Sequence, residues 1–274
     1  MSLPNSITRV ATAVVAIPLV VYATYAGGWL FLGLVLAGGL LAQYELYGLL
    51  GRLGVRTLPV AGLAIGAVVG LRTEFPQAVP LAVGMSIVLA VGILLSSRFE
   101  NPWQSFSSTV TAVFYPTVLL TYLVDLRVEA LAALGEESAF WLTLSVFVLV
   151  WASDTVAYYV GRTLGRTPLA PEISPKKTWE GAVGGAIGAV MVALGLWKLS
   201  LVSVGWIDCV ALGLICGTVG QLGDLAESRI KRAAGVKDSG TILPGHGGLL
   251  DRLDAMIIAV PMAYLYLAYV ARVF

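Results

Sequence analysis

Apolar runs of membrane-spanning length follow one another along this chain almost without a break. A bilayer core about 30 Å thick takes about 20 mostly apolar residues per helix. Nine such stretches can be laid on the sequence, at about 7–25, 29–50, 58–71, 78–96, 107–124, 139–161, 180–199, 207–223 and 255–273, the third being the shortest. Composition agrees: 58% of the 274 residues are hydrophobic and 12% are charged, where soluble domains carry about 25%, and mean hydropathy is +0.88. Membrane β-barrels read as alternating segments of about ten residues, not continuous apolar runs. The expected fold is therefore all-α, a polytopic transmembrane bundle of about nine spans.

Orientation follows from Lys and Arg, which concentrate on the cytoplasmic side. With the N-terminus cytoplasmic, that side collects thirteen of the seventeen: Arg9, Arg52, Arg56, Arg98, Arg162, Arg166, Lys176, Lys177, Arg229, Lys231, Arg232, Lys237 and Arg252. Arg72, Arg127, Lys198 and Arg272 fall on the other. Residues 1–125 then read as scaffold helices, and 126–274 as a catalytic region with cytoplasmic loops at 162–179 and 225–254. Because orientation and two local clusters account for the basic residues, the net charge of +1 gives no reason to expect nucleic acid as a partner. Cys209 and Cys216, seven apart in one span, cannot close a disulfide along a straight helix and read as reduced packing residues. The first apolar run lacks a small-x-small cleavage site and is kept as a helix.

Small residues recur every four positions at Gly62, Gly66 and Gly70, at Gly181 with Gly185, at Gly184 with Gly188, and at Gly213 with Gly217. That spacing predicts close helix packing. Two carboxylates interrupt apolar segments. Glu45 lies about 10 Å before Arg52 along a helix and reads either as facing a polar partner or as reaching the interface. Asp154 lies about 12 Å before Arg162, too deep to excuse as interfacial, and reads as functional.

Two polar stretches carry the candidate chemistry. Ser174-Pro175-Lys176-Lys177-Thr178-Trp179-Glu180-Gly181 places paired lysines and a hydroxyl at a helix start, where phosphates bind, although lysines for topology and Thr caps are common there too. The second runs from Gly223 to Asp254. On a helix continuing past residue 223, Asp224, Glu227, Ser228 and Lys231 share one face, and Asp251 and Asp254 repeat the i, i+3 spacing at the start of the last span. Four carboxylates converging from two helix ends would need a neutralising cation, and oxygen-only ligands suit Mg²⁺ or a similar hard ion. One His and two distant Cys make no zinc set. Between the acidic pairs, Gly245-His246-Gly247-Gly248 offers a backbone free to approach phosphate oxygens, with His246 either a phosphate donor or a structural residue of a tight turn. Flanking bases supply charge for a leaving pyrophosphate.

Ser228-x-Ile230-Lys231-Arg232-x4-Lys237-Asp238-x-Gly240-x2-Leu243-Pro244-x-His246-Gly247-Gly248-Leu249-x-Asp251-Arg252-Leu253-Asp254 resembles the full signature of the phosphatidate cytidylyltransferases, the CDP-diacylglycerol synthases. The resemblance extends to the Ser-Pro-Lys-Lys-Thr-x-Glu-Gly loop, the Trp-x-x-Asp helix and the Gly-Asp-x-x-Glu-Ser helix end; in the first half it is one of hydropathy alone. It implies transfer from CTP to phosphatidic acid with Mg²⁺, in a multi-pass protein of the inner membrane, a homodimer among membrane lipids, with its site facing the cytoplasm. Carried over by position, Asp224 and Asp251 would be the principal metal ligands, with Glu227 and Asp254 completing the site or holding a second cation. Lys231, Arg232, Lys237, Asp238, His246 and Arg252 would serve catalysis. Asp154, Ser174, Lys176, Lys177, Thr178, Glu180, Ser228, Gly247 and Gly248 would bind substrate. The rival readings are an isoprenoid-ether lipid cytidylyltransferase and a transporter in which Glu45 and Asp154 would be coupling carboxylates.

Overall fold

The computed structural model describes residues 5–242 and 247–274, and residues 5–12 by their backbone alone. His246, with Leu243, Pro244 and Gly245, lies outside the described residues. The elements are α1 (Asn5–Ala26), α2 (Gly28–Arg52), α3 (Pro59–Gly70), α4 (Ala78–Leu95), α5 (Pro102–Ala112), α6 (Tyr122–Leu134), α7 (Glu136–Leu164), β1 (Pro168–Ala170), β2 (Ser174–Thr178), α8 (Trp179–Lys198), α9 (Trp206–Leu214), α10 (Gly220–Ala233) and α11 (Leu250–Leu265). Helix α5 continues through a π-helical stretch at Val113–Val118, α9 joins α10 through another at Ile215–Val219, and α11 runs into a third at Tyr266–Val270. The chain is thus a helical protein, as its apolar periods require. Six described helices are long and apolar enough to cross a membrane: Gly28–Arg52, Ala78–Leu95, Glu136–Leu164, Trp179–Lys198, Trp206–Ala233 and Leu250–Val270. Ala13–Ala26 and Pro59–Gly70 are shorter apolar helices.

The chain divides into two compact units. The first comprises residues 1–20, 29–121 and 230–253; the second comprises 21–28, 122–229 and 254–274. The signature segment 230–253 therefore groups with the first half of the sequence, while the lysine loop and Asp154 belong to the second unit.

In the first unit, α3 lies against α2 through its glycines. A Cβ on Gly62 would overlap Tyr47, one on Gly66 would overlap Gln43, and one on Gly70 would overlap Leu36. Beside this seam a polar network ties α2 to the α5 region. Gln43 Nε2 donates to the Tyr47 hydroxyl (3.1 Å), which donates to the Thr109 carbonyl (2.8 Å), and Thr117 Oγ1 donates to Gln43 Oε1 (2.7 Å). Such bonds replace the water that lipid does not provide.

In the second unit, α7 and α8 pack through the spaced glycines of α8. A Cβ on Gly181 would meet the Ala157 carbonyl at 2.8 Å, on Gly185 the Ser153 carbonyl at 2.8 Å, and on Gly188 the Val156 side chain at 2.7 Å. Gly213 and Gly217 bring the next helical stretch equally close to Val190 and Ala186 of α8. The small-residue spacing is thus a packing code at each of these places. Cys209 and Cys216 are free and buried.

Three local features differ from the sequence expectation. Helix α6 occupies residues expected to be a connection. The loop at 162–179 is not irregular: α7 runs to Leu164, and β1 and β2 form an antiparallel hairpin with Pro168 opposite Thr178 and Ala170 opposite Ser174. Pro168, Pro171 and Pro175 forbid helix here, and a two-stranded ribbon, all edge, accommodates them. The loop at 225–254 shrinks, because α10 extends to Ala233 and α11 begins at Leu250, which makes both i, i+3 acid pairs helical.

The α7–α8 seam predicts that Gly185→Val lowers the thermal unfolding midpoint in detergent, at an overpacking cost of about 1–3 kcal/mol. Gly195→Val, in the same helix where a Cβ meets nothing within 4 Å, should leave the midpoint near that of the parent. Equal midpoints for the two variants, read by tryptophan fluorescence, would refute the close approach.

Candidate active site

One face of α7 presents Asp154, Ala157, Tyr158, Gly161 and Arg162, at i, i+3, i+4, i+7 and i+8, to a cavity of about 560 Å³. The floor and far wall come from Lys176, Lys177 and Thr178 of β2, from Gly181 and Ala182 of α8, and from Gln221 and Asp224 of α10. All of these belong to the second unit. The close α7–α8 approach described above sets how the Lys-Lys-Thr strand meets the Asp154 face.

Electrostatics inside the cavity are mixed. Lys177 Nζ forms an ion pair with Asp224 Oδ2, both side chains being about one-quarter to one-third exposed (26% and 30%). Ser228 Oγ donates to Asp224 Oδ1 across one helical turn (3.2 Å). Arg162 donates to the Tyr158 hydroxyl (2.9 Å), and Gln221 Nε2 donates to the Ala182 carbonyl (3.0 Å). Thr178 Oγ1 accepts from Gly181 N (3.2 Å), so it caps α8 while lining the cavity. Ser174 and Glu180 do not line it. The Glu180 carboxylate instead accepts from Arg166 N (3.1 Å), Thr167 N (3.2 Å) and Thr167 Oγ1 (2.9 Å), bracing the start of the hairpin.

Behind Asp224 stands a group of like charges. The Asp254 carboxylate feels Asp224, then Glu227, then Asp154, and Glu227 is fully buried. As placed, no three acidic, His or Cys side chains among the described residues share one ion-sized centre, so the grouping is electrostatic and not yet a coordination shell. Its donor chemistry nonetheless suits a hard divalent cation: carboxylate oxygens only, with the Lys177 ammonium standing where positive charge is called for.

The first unit holds a second polar centre, around Asp251. Its Oδ1 accepts from Lys231 Nζ at 2.5 Å, with side chains only 9% and 7% exposed. Its Oδ2 accepts from Ser239 N (2.9 Å), Ser239 Oγ (3.0 Å) and Gly248 N (2.8 Å). Gly247 adopts φ +83°, where a side chain would be strained and would crowd Asp251. Arg232, Lys237, Asp238 and Arg252 are exposed on this segment, with Arg232 donating to the Val236 carbonyl (2.9 Å).

Sequence reasoning passed over Arg162 and Gln221 as cavity residues. Arg162 was counted only for topology, although its spacing from Asp154 and Tyr158 puts it on the same helical face. Gln221 was unremarked, although it precedes Asp224 by one helical turn. The cavity brings together Asp154, Lys176, Lys177, Thr178 and Asp224, which lie on three separate elements.

Comparison with known proteins meets this picture along nearly the whole chain. Residues 7–270 match the model of the cytidylyltransferase family. The chain is 37% identical over 271 residues to a phosphatidate cytidylyltransferase of Brucella abortus (strain 2308), covering 98% of this chain and 95% of the relative. It is 32% identical over 284 residues to the phosphatidate cytidylyltransferase of Synechocystis sp., covering 94% and 95%. It is 35% identical over 269 residues to phosphatidate cytidylyltransferase 5, chloroplastic, of Arabidopsis thaliana, covering 87% of this chain and 66% of that one. A cavity lined by lysines and carboxylates is what a nucleotidyltransferase needs, and with matches of this extent the chain belongs to the cytidylyltransferase family, among the phosphatidate cytidylyltransferases.

Proposed function

We propose that the chain catalyses the reaction of CTP with phosphatidic acid to give CDP-diacylglycerol and pyrophosphate, at the cytoplasmic face of the inner membrane. The observation that carries this reading is the cavity in which Lys176 and Lys177 stand beside Asp154 and Asp224. Anionic phosphates need the cations, and an all-oxygen acid group is the partner of a divalent ion. The nine-span topology with a cytoplasmic N-terminus remains the arrangement favoured by the Lys and Arg distribution, and it puts these residues at the face where CTP is available.

The residues that would hold Mg²⁺ are Asp224, Glu227 and Asp254. The resemblance adds Asp251, whose carboxylate Lys231, Ser239 and Gly248 already engage. Bound there, the ion would neutralise charge on the nucleotide oxygens and on the leaving pyrophosphate. The chain's own residues do the rest. Lys176, Lys177 and Arg162 bind and orient phosphate oxygens. Lys177, paired with Asp224, is free to exchange its carboxylate for a phosphate once a cation compensates the acids. The phosphatidate oxygen attacks the α-phosphorus of CTP in line, forming the new P–O bond as the bond to the β-phosphate oxygen breaks, and the electron pair leaves with pyrophosphate. The nucleophile is already anionic, so no strong base is required and positioning carries most of the catalysis. An acyl-chain substrate stays in the bilayer while its headgroup meets the soluble nucleotide.

Protein purified in detergent, given labelled CTP, phosphatidic acid and Mg²⁺, should release pyrophosphate and form a lipid-soluble cytidine product; no such product under any divalent ion would end the proposal. Chelation should abolish turnover and Mg²⁺ restore it. Asp224→Asn should lower kcat by at least about 100-fold, and Asp251→Asn with full activity would remove Asp251 from the metal shell. Lys177→Ala should raise KM for CTP about 10- to 100-fold, the cost of one charge-assisted phosphate contact; an unchanged KM would place the triphosphate elsewhere.

A further inference from the structure

Glu45 is the one strongly buried carboxylate of the first unit that the proposed reaction does not use. It sits in α2, about 10 Å from the Arg52 end, with 4% of its surface exposed, so it does not reach the interface. Its partners come from the far end of the sequence. Oε2 accepts from the Leu250 backbone N–H at 2.7 Å and from Ser239 Oγ at 3.1 Å, across 205 and 194 residues. Oε1 lies against Gly240 and Oε2 borders the space beside Gly248: a Cβ on Gly240 would overlap only Glu45 atoms among its nearest neighbours, and a Cβ on Gly248 would overlap Ser239 and Glu45.

We propose that Glu45 is a positioning residue, an N-terminal cap supplied to α11 by a distant helix, which holds Ser239-Gly240 and Gly248-Leu250 in the arrangement that presents Asp251. Leu250 is the first residue of α11, and its N–H is one of the four at a helix start that lack an intrahelical acceptor. A carboxylate there satisfies the donor and complements the positive end of the helix dipole. Ser239 completes the device. Its hydroxyl lies within hydrogen-bonding distance of both Glu45 Oε2 (3.1 Å) and Asp251 Oδ2 (3.0 Å), and its N–H donates to Asp251. Glu45 therefore engages both Ser239-Gly240 and Gly248-Leu250, and Asp251 takes its orientation from the same serine that Glu45 holds. Gly240 and Gly248 lack side chains because the Glu45 carboxylate occupies that space.

The role rests on the cytidylyltransferase reading for its activity arm only, so the test has two arms. In hydrogen exchange on full-length protein in detergent, Glu45→Ala should speed exchange of residues 236–242 and 247–250 about 10-fold or more while α7 and α8 keep their protection; unchanged exchange at those residues would overturn the proposal whatever the activity. In turnover, Glu45→Ala should lower kcat about 10- to 100-fold, as loss of an outer-shell partner does, with KM for CTP within about 3-fold of the parent. Glu45→Gln keeps an acceptor oxygen for Leu250 and Ser239 and should restore most of kcat. Gly240→Ala should impair the parent but cost little more in the Glu45→Ala background, because the Cβ then enters vacated space. Additive losses, or a uniform fall in protection across every helix, would make Glu45 a general packing residue and sink the idea. If the parent itself makes no cytidine lipid, the function fails while the exchange arm still decides the cap.

Discussion

A polar group taken out of water must find its partner inside the chain, and several ionisable side chains described here are placed by that constraint. Lys177 faces Asp224, Lys231 faces Asp251, and Arg127, which is 2% exposed, faces Glu136 and the Thr24 carbonyl. Polar groups without charge obey it too, as the Gln43–Tyr47–Thr109–Thr117 network shows. A chain that must pair its charges internally ends with them gathered in a few places.

Gathering requires that backbones approach closely, and glycine makes this possible. With Cβ atoms at Gly181, Gly184, Gly185 and Gly188, α8 would stand off from α7, and the strand bearing Lys176 and Lys177 would move with it. The Asp154 face of α7 and the lysine pair are thus brought to one cavity by helix packing. An α7–α8 seam of small residues serves stability and geometry at once. The same holds on α3, where the glycines admit Tyr47 and Gln43 of α2, the residues that carry the polar network.

Acids of similar appearance have different environments. Glu227 and Asp254 stand among other carboxylates, which suits cation binding. Asp251 is saturated by Lys231, Ser239 and Gly248. Glu180 braces a hairpin through backbone N–H groups, and Glu45 caps a helix start. Charge type is alike in all of them, so the donors around each carboxylate separate a ligand for a metal from a ligand for the backbone.

The sequence by itself determined the helical class, the membrane-length runs, the small-residue seams, the i, i+3 pairing of Asp224 with Glu227 and of Asp251 with Asp254, and the family. These are properties of 1.5 Å rise, 3.6-residue periodicity and local hydropathy, which neighbouring residues specify without reference to the rest of the chain. It also singled out Asp154, because charge in an apolar run needs a reason, and the lysine pair at a helix start, and both line one cavity. Tertiary structure alone decided that Lys177 would meet Asp224, that Arg162 and Gln221 would line the same cavity, and that Glu45 would reach residues 239–250 across 194 to 205 positions. Partnerships at such separation depend on which helices pack and how closely, and that is set by contacts summed over many residues, so no local pattern announces them.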